Sequence, residues 1–150
     1  MTTPLPAVAI AEQLAERITA VDPRRPPAAV RAKCEDLAVE VVGLCLTARR
    51  LDYVEATLAA CDDDGPCTAI GHARTLGTAG AALVNGTAAH GEDFDDTFEG
   101  GPVHAGAVIV PAVLAACERH HPDGAAALTG VAVGVETMCR LGLVTPQLVH

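Results

Sequence analysis

The sequence predicts an all-α protein of about six helices, folded as a single domain over residues 1–150, and three observations carry that expectation. Half of the 150 residues are hydrophobic, which excludes a disordered acidic tail despite a net charge of -9. The apolar residues are chiefly Ala, Val and Leu, with two Phe, one Tyr and no Trp. A core of many small side chains suits closely packed helices better than a β-sandwich. Most of the chain also repeats its apolar residues at helical spacing.

The elements follow in order. Val8, Ala11, Leu14 and Ile18 place a first helix over residues 5–20. VDPRRPP then breaks the chain, and Pro26 and Pro27 can open the next helix, because proline in the first turn loses no needed hydrogen bond. That helix has the clearest period, with Val30, Cys34, Leu37, Val41, Leu44 or Cys45 and Ala48, and should run to about Arg50. Leu51, Val54, Leu58 and Cys61 give a short third helix, ended by a turn at CDDDGPC. Residues 68–90 are rich in Gly, Ala and Thr and read as a helical stretch whose glycines permit close helix–helix approach. After an acidic loop, HAGAVIVPAVLAACERHH is an apolar helix in which Pro111 is tolerable only near the first turn. Asp123 caps a last helix carrying Leu128, Val131, Val135 and Met138, and Gly142 stops it.

Charge and cysteine usage narrow the function classes. With one lysine, Lys33, and scattered arginines, no positive stripe is available to track phosphates, so nucleic acid is not an expected partner. The N-terminus lacks the positive region of a signal peptide, and no uninterrupted apolar run of membrane-spanning length occurs. A cytoplasmic, reducing setting is therefore expected, with the six cysteines as thiols. Cys34, Cys45 and Cys139 fall on apolar helical faces as small core residues. Cys61 and Cys67 bracket a turn without the CxxC spacing of zinc sites, which argues against a clip there.

The chemistry-bearing stretch is NGTAAHGEDFDDTFEGGPVH, residues 85–104. Asp93, Asp95 and Asp96 crowd together between His90 and His104. A solvated surface loop is the plain reading. Against it stand the position between the two most apolar stretches of the second half, the grouping of Asp93 and Asp96 on one side of a turn beyond His90, and a Gly-Gly-Pro reversal that puts His104 where a helix begins. Two functions suit these residue types. In one, a carboxylate crowded by others holds protons more strongly and serves as a general base, with a histidine opposite to return the proton. In the other, His90, Asp93, Asp96 and His104 ligate one divalent ion. Spacing does not separate them. His72 reads as packed or superficial within its helix, and His120 and His121 as structural residues favouring a helix C-terminus. No nucleophile elbow, P-loop or dinucleotide fingerprint is present.

The runs NGTAAHGEDFDDT, His104-Ala-Gly, VIVPAVLAACE and GVETMCRLGL resemble the MmgE/PrpD family, and PPAAVRAKCEDLAVEVVG is similar to its second helix. The resemblance extends in order from about Leu14 to the C-terminus, and the family's NG-x-x-x-H-x-x-D-x-DD-T stretch is present in full. It implies a cofactor-free lyase or isomerase that binds a small polycarboxylate and breaks a bond, or moves a proton, next to a carboxylate. It implies Asp93 as the base and His104 as an acid or carboxylate ligand. Thr97 and His90 would contact substrate, and Asp95 and Asp96 would hold the loop, with no metal needed. EGGPVH is one residue longer than the family's usual spacing and lacks its histidine–proline. Family members are also much longer, and the later lysine, histidine and tyrosine that receive substrate carboxylates, with the lid domain, fall outside this sequence. The expectation is therefore an N-terminal subunit completed by a separate C-terminal polypeptide, the assembled unit being a dimer. The alternative is a non-catalytic helical scaffold or regulatory partner of a homologue.

Overall fold

A computed structural model describes residues 8–144. The expectations for residues 5–7 of the first helix and for the terminal LVTPQLVH beyond Val144 lie outside the described residues. Six helices and one small two-stranded sheet are present among them: α1 (Ile10–Thr19), α2 (Ala28–Ala48), α3 (Asp52–Ala60), β1 (Asp64–Thr68), β2 (Thr75–Leu76), α4 (Thr78–His90), α5 (Ala105–His120) and α6 (Gly124–Val144). The architecture is the mostly helical one expected.

The core lies where α2, α4 and α5 meet. Val41, Cys45, Val54, Leu76, Val84 and Val110 are fully or almost fully buried there, interleaved with Ala48, Ala81, Ala88, Ala107 and Ala115. Alanines at these contacts let backbones approach closely, so burial is gained through packing density rather than through large side chains. The central crossing shows this directly. A Cβ on Gly86 of α4 would stand 3.0 Å from the carbonyl oxygen of Ala107 on α5. Pro111, four residues beyond Ala107, has no N–H to offer that carbonyl.

Several local expectations require correction. The stretch 68–90 is helical only from Thr78; residues before it form an antiparallel hairpin, so His72 lies in the connection between strands and not in a helix. CDDDGPC is correspondingly not a turn, because Asp64–Thr68 pairs with Thr75–Leu76. The register slips between Asp64 and Cys67, and Pro66, which has no N–H for a ladder, sits in the slip. The hairpin docks on α5: Thr68 donates from its amide (2.7 Å) and its hydroxyl to Glu118, and the Cys67 thiol donates to the Ala115 carbonyl at 3.4 Å. Pro111 lies beyond the first turn of α5, buried inside the helix. Gly142 does not stop α6, which continues to Val144; a Cβ there would meet Val103 Cγ2 at 2.7 Å, so this glycine serves packing.

Other expectations agree with the structure. Pro27 caps α2 with an extended backbone, and Asp123 Oδ1 accepts the Ala126 N–H at 2.8 Å at the start of α6. All six cysteines are free thiols. Cys34 and Cys45 are buried, whereas Cys139 is only half-buried because α6 buries a single residue, Val131. With so little covered, α6 is long and apolar enough by length and composition to cross a membrane, although Glu136 and Arg140 pair along it.

Candidate active site

Helices α4 and α5 present their adjoining ends to one another, and residues 91–103 connect them. His90 is the last residue of α4, and His104 is the residue that caps the start of α5. Their rings lie 4.7 Å apart between centroids, tilted by 58°. Sequence distance between the two histidines is therefore cancelled by the helix pairing.

The connection is built from short-range bonds. The Asp93 amide donates to the His90 carbonyl at 2.9 Å, and Asp93 takes a left-handed backbone with φ of 58°. Aspartate tolerates that region better than most residues, since its short polar side chain bonds locally. The chain then points Phe94 outward and Asp95 inward. Asp96 Oδ1 accepts the Gly106 N–H at 2.7 Å, so its carboxylate satisfies one of the open donors at the N-terminus of α5. Glycine at 106 makes room for this contact: an added Cβ would fall 2.2 Å from Asp96 Oδ1 and 2.7 Å from Leu37 Cδ1, so both side chains would have to move. A bridge between Phe98 and Val103 closes the loop and returns the chain to α5.

Asp95 is the centre of the arrangement. Its side chain has no exposed surface, and both of its oxygens lie 3.1 Å from His90 Nδ1. His104 Nδ1 lies 3.4 Å from Asp95 Oδ1, close enough for an ion pair but outside hydrogen-bonding geometry, and it has no other partner. On the far side of the same ring, His104 Nε2 lies 4.0 Å from Asp93 Oδ1. Asp93 is largely exposed and His104 about one-quarter exposed, so both stand at the mouth of the cluster. His104 Nε2 thus faces Asp93 and solvent, while its Nδ1 lies against the buried Asp95 carboxylate without a hydrogen bond.

The structure thus brings together His90, Asp93, Asp95 and His104, and leaves Asp96 and Thr97 apart from them. The grouping of Asp93 and Asp96 on one side does not form; Asp95 occupies the place given to Asp96 in the four-residue ligand set. After the left-handed turn at Asp93 the chain bends again at Asp95, which is buried, whereas Asp96 turns to the Gly106 amide. Thr97 is exposed beside the loop. The other histidines take no part: His72 packs in the hairpin connection with Nε2 buried and unpartnered, and His120 and His121 end α5.

Asn85, the first residue of the motif, was given no role from sequence. It is buried, donates from Nδ2 to the Thr68 carbonyl at 2.9 Å and accepts the Ile70 N–H at 2.8 Å. Its own carbonyl accepts the Cys45 thiol at 3.2 Å. One side chain therefore ties the hairpin to α4. Burial raises the Cys45 thiol from 9.0 to about 11. At the other end of α4, the Tyr53 hydroxyl donates to Glu92 at 3.1 Å, and the Tyr53 ring lies against Gly91, which anchors the start of the loop.

No solved structure matched the chain. A cis-aconitate decarboxylase-like protein, oryM, of Aspergillus oryzae is 28% identical over 152 residues, covering 95% of this chain and 32% of that protein. A cis-aconitate decarboxylase of Aspergillus terreus is 35% identical over 66 residues, covering 44% of this chain and 13% of that protein. The chain thus spans about a third of the length of the A. oryzae relative. Residues 12–148 match the MmgE/PrpD N-terminal domain, and the chain belongs to the MmgE/PrpD family, whose curated relatives here are of the lyase type.

Proposed function

We propose that this chain carries one wall of the active site of a cofactor-free lyase or isomerase that acts on a small polycarboxylate by abstracting a proton next to a carboxylate. The observation that carries the reading is the pairing at the mouth of the cluster: an exposed carboxylate, Asp93, 4.0 Å from the Nε2 atom of a histidine whose other nitrogen faces a buried carboxylate. Base and acid stand side by side, and the carboxylate behind the acid is shielded from solvent.

In this reading Asp93 removes the proton from carbon, and His104 returns a proton or receives a substrate carboxylate. His90 and Thr97 contact substrate, Asp95 holds the imidazoles, and Asp96 holds the loop to α5. The relatives' names suggest a substrate of the cis-aconitate kind; dehydration, decarboxylation and epimerisation all begin with chemistry at such a carbon.

Among the described residues no lysine or arginine forms an ion pair with Asp93, Asp95 or Asp96. A polycarboxylate placed beside these aspartates needs cationic partners to offset the repulsion. We assign those partners to a second, C-terminal MmgE/PrpD-like polypeptide packed on this chain, the assembled unit being a dimer in the cytoplasm.

The test is native co-purification with intact mass, followed by turnover of the assembly on a panel of di- and tricarboxylates. A co-eluting MmgE/PrpD-like chain, and a loss of roughly 10²–10⁴-fold in kcat for Asp93→Asn, are the expected results. Asparagine keeps the left-handed backbone at 93 accessible, so the change isolates the charge. An assembly whose turnover survives Asp93→Asn would instead identify a non-catalytic scaffold or regulatory partner.

A further inference from the structure

The same four side chains have a second property that proton transfer does not need. His90, Asp93, Asp95 and His104 each offer one donor atom, and these atoms all lie within 4.8 Å of one another. Tetrahedral zinc, with bonds of about 2.0–2.2 Å, holds its donors roughly 3.3 Å apart. The Asp95 oxygens already stand 3.1 Å from His90 Nδ1 and 3.4 Å from His104 Nδ1. The remaining adjustment falls on Asp93, which is exposed and sits on a loop. His104 Nδ1 adds an independent sign: it is buried and has no hydrogen-bond partner. In the tautomer that carries the proton on Nε2, this buried Nδ1 is an open lone pair, at a free-energy cost that a metal ion would offset.

We propose that His90, Asp93, Asp95 and His104 form an inhibitory site for a borderline divalent cation, zinc being the best match to a two-imidazole, two-carboxylate set. The cation blocks the chemistry at the base: it takes the carboxylate lone pair with which Asp93 would accept a proton, and places a positive charge against His104. Occupancy depends on the geometry alone, whereas the inhibition rests on the proton-transfer reading above. The two are therefore separable. Zinc binding by an assembly that shows no turnover would overturn the catalytic reading only, and assembly turnover insensitive to bound zinc would overturn this one only.

The experiment is titration of the 150-residue chain with Zn²⁺, and in parallel with Co²⁺, followed by calorimetry, visible absorption and the imidazole proton resonances. The expected result is one ion per chain, with the ring signals of His90 and His104 shifted and those of His72, His120 and His121 unmoved. His90→Gln, a change at a half-exposed side chain, should weaken binding at least tenfold, while Asp96→Asn should leave it unchanged. The cobalt spectrum should lack the thiolate charge-transfer band that the free cysteines would produce if they were the ligands. Absence of stoichiometric binding, a thiolate band, or binding indifferent to His90→Gln would each overturn the proposal, and the wild-type resonances decide it without any variant.

Discussion

The layer of α2, α4 and α5 and the two helices at its margin, α1 and α6, use similar residues to different ends. In the first, alanines, valines and glycines are closely packed, and the loop carrying the aspartates is held to helix ends at Gly91 and Gly106. In the second, α1 buries no residue and α6 only Val131, and the two helices flank an apolar groove of about 560 Å³ lined by Leu14, Ile18, Val30 and Ala132. Small apolar side chains thus give a rigid platform only where helices approach closely. The candidate site occupies the platform, which is where two histidines and two carboxylates can be held a few ångströms apart.

The contrast can be broken most severely at the core. Leu76→Ala, at a side chain with no exposed surface, should cost about 2–5 kcal/mol by denaturant unfolding. Leu141→Ala, on α6 at a residue 61% exposed, should change stability by under about 0.5 kcal/mol. Equal costs would mean that the two regions are not distinct in packing.

A smaller effect should appear at high pH. Because the folded Cys45 thiol is raised from 9.0 to about 11, its contribution to stability is full below pH 9 and is lost as pH rises toward 11, when the unfolded chain gains by ionising first. That loss should be on the order of 2–3 kcal/mol. Cys45→Ala should shrink the difference in stability between pH 8 and pH 11, measured by unfolding, by that amount, leaving the part contributed by Cys34, Cys117, Cys139 and Tyr53, which burial also raises. The half-buried Cys139 should be alkylated in the native state under conditions that spare Cys45.

Two glycines sharpen the comparison further. Gly106→Ala forces a Cβ onto Asp96 and Leu37 and removes the cap on α5, which should cost about 1–3 kcal/mol. Gly43→Ala, on an exposed face of α2 with nothing within 4 Å, should stabilise by about 0.5–1 kcal/mol. Thermal unfolding of the two variants side by side reads both signs.

The pattern of these effects also explains what was legible in the sequence. Apolar spacing places α1, α2, α3 and α6, while α4 and α5 are legible from a Gly/Ala-rich stretch and an apolar run, the first of these misplacing the start of α4 by ten residues, at 68 in place of Thr78. The hairpin at Asp64–Leu76 was not legible: its strands are short, one is interrupted by Pro66, and Asn85, which holds it to α4, lies far along the chain. Gly142 resembled a helix stop because its reason, Val103, belongs to another element. Residue spacing in the acidic motif pairs the histidines with Asp96, whereas the structure sets them against Asp95. Which of Asp95 and Asp96 turns inward depends on the left-handed backbone at Asp93 and on the Gly106 amide, and neither follows from residue spacing.

The central claim is that Asp93, held at the edge of the closely packed layer, moves a proton at carbon. It is tested most directly by following deuterium exchange from solvent into di- and tricarboxylates by NMR, with the natively purified assembly and its Asp93→Asn variant. The account predicts exchange into one substrate class by the wild type and a loss of about 10²–10⁴-fold in the variant, with an unchanged unfolding temperature. Exchange at the same rate in both proteins would contradict it.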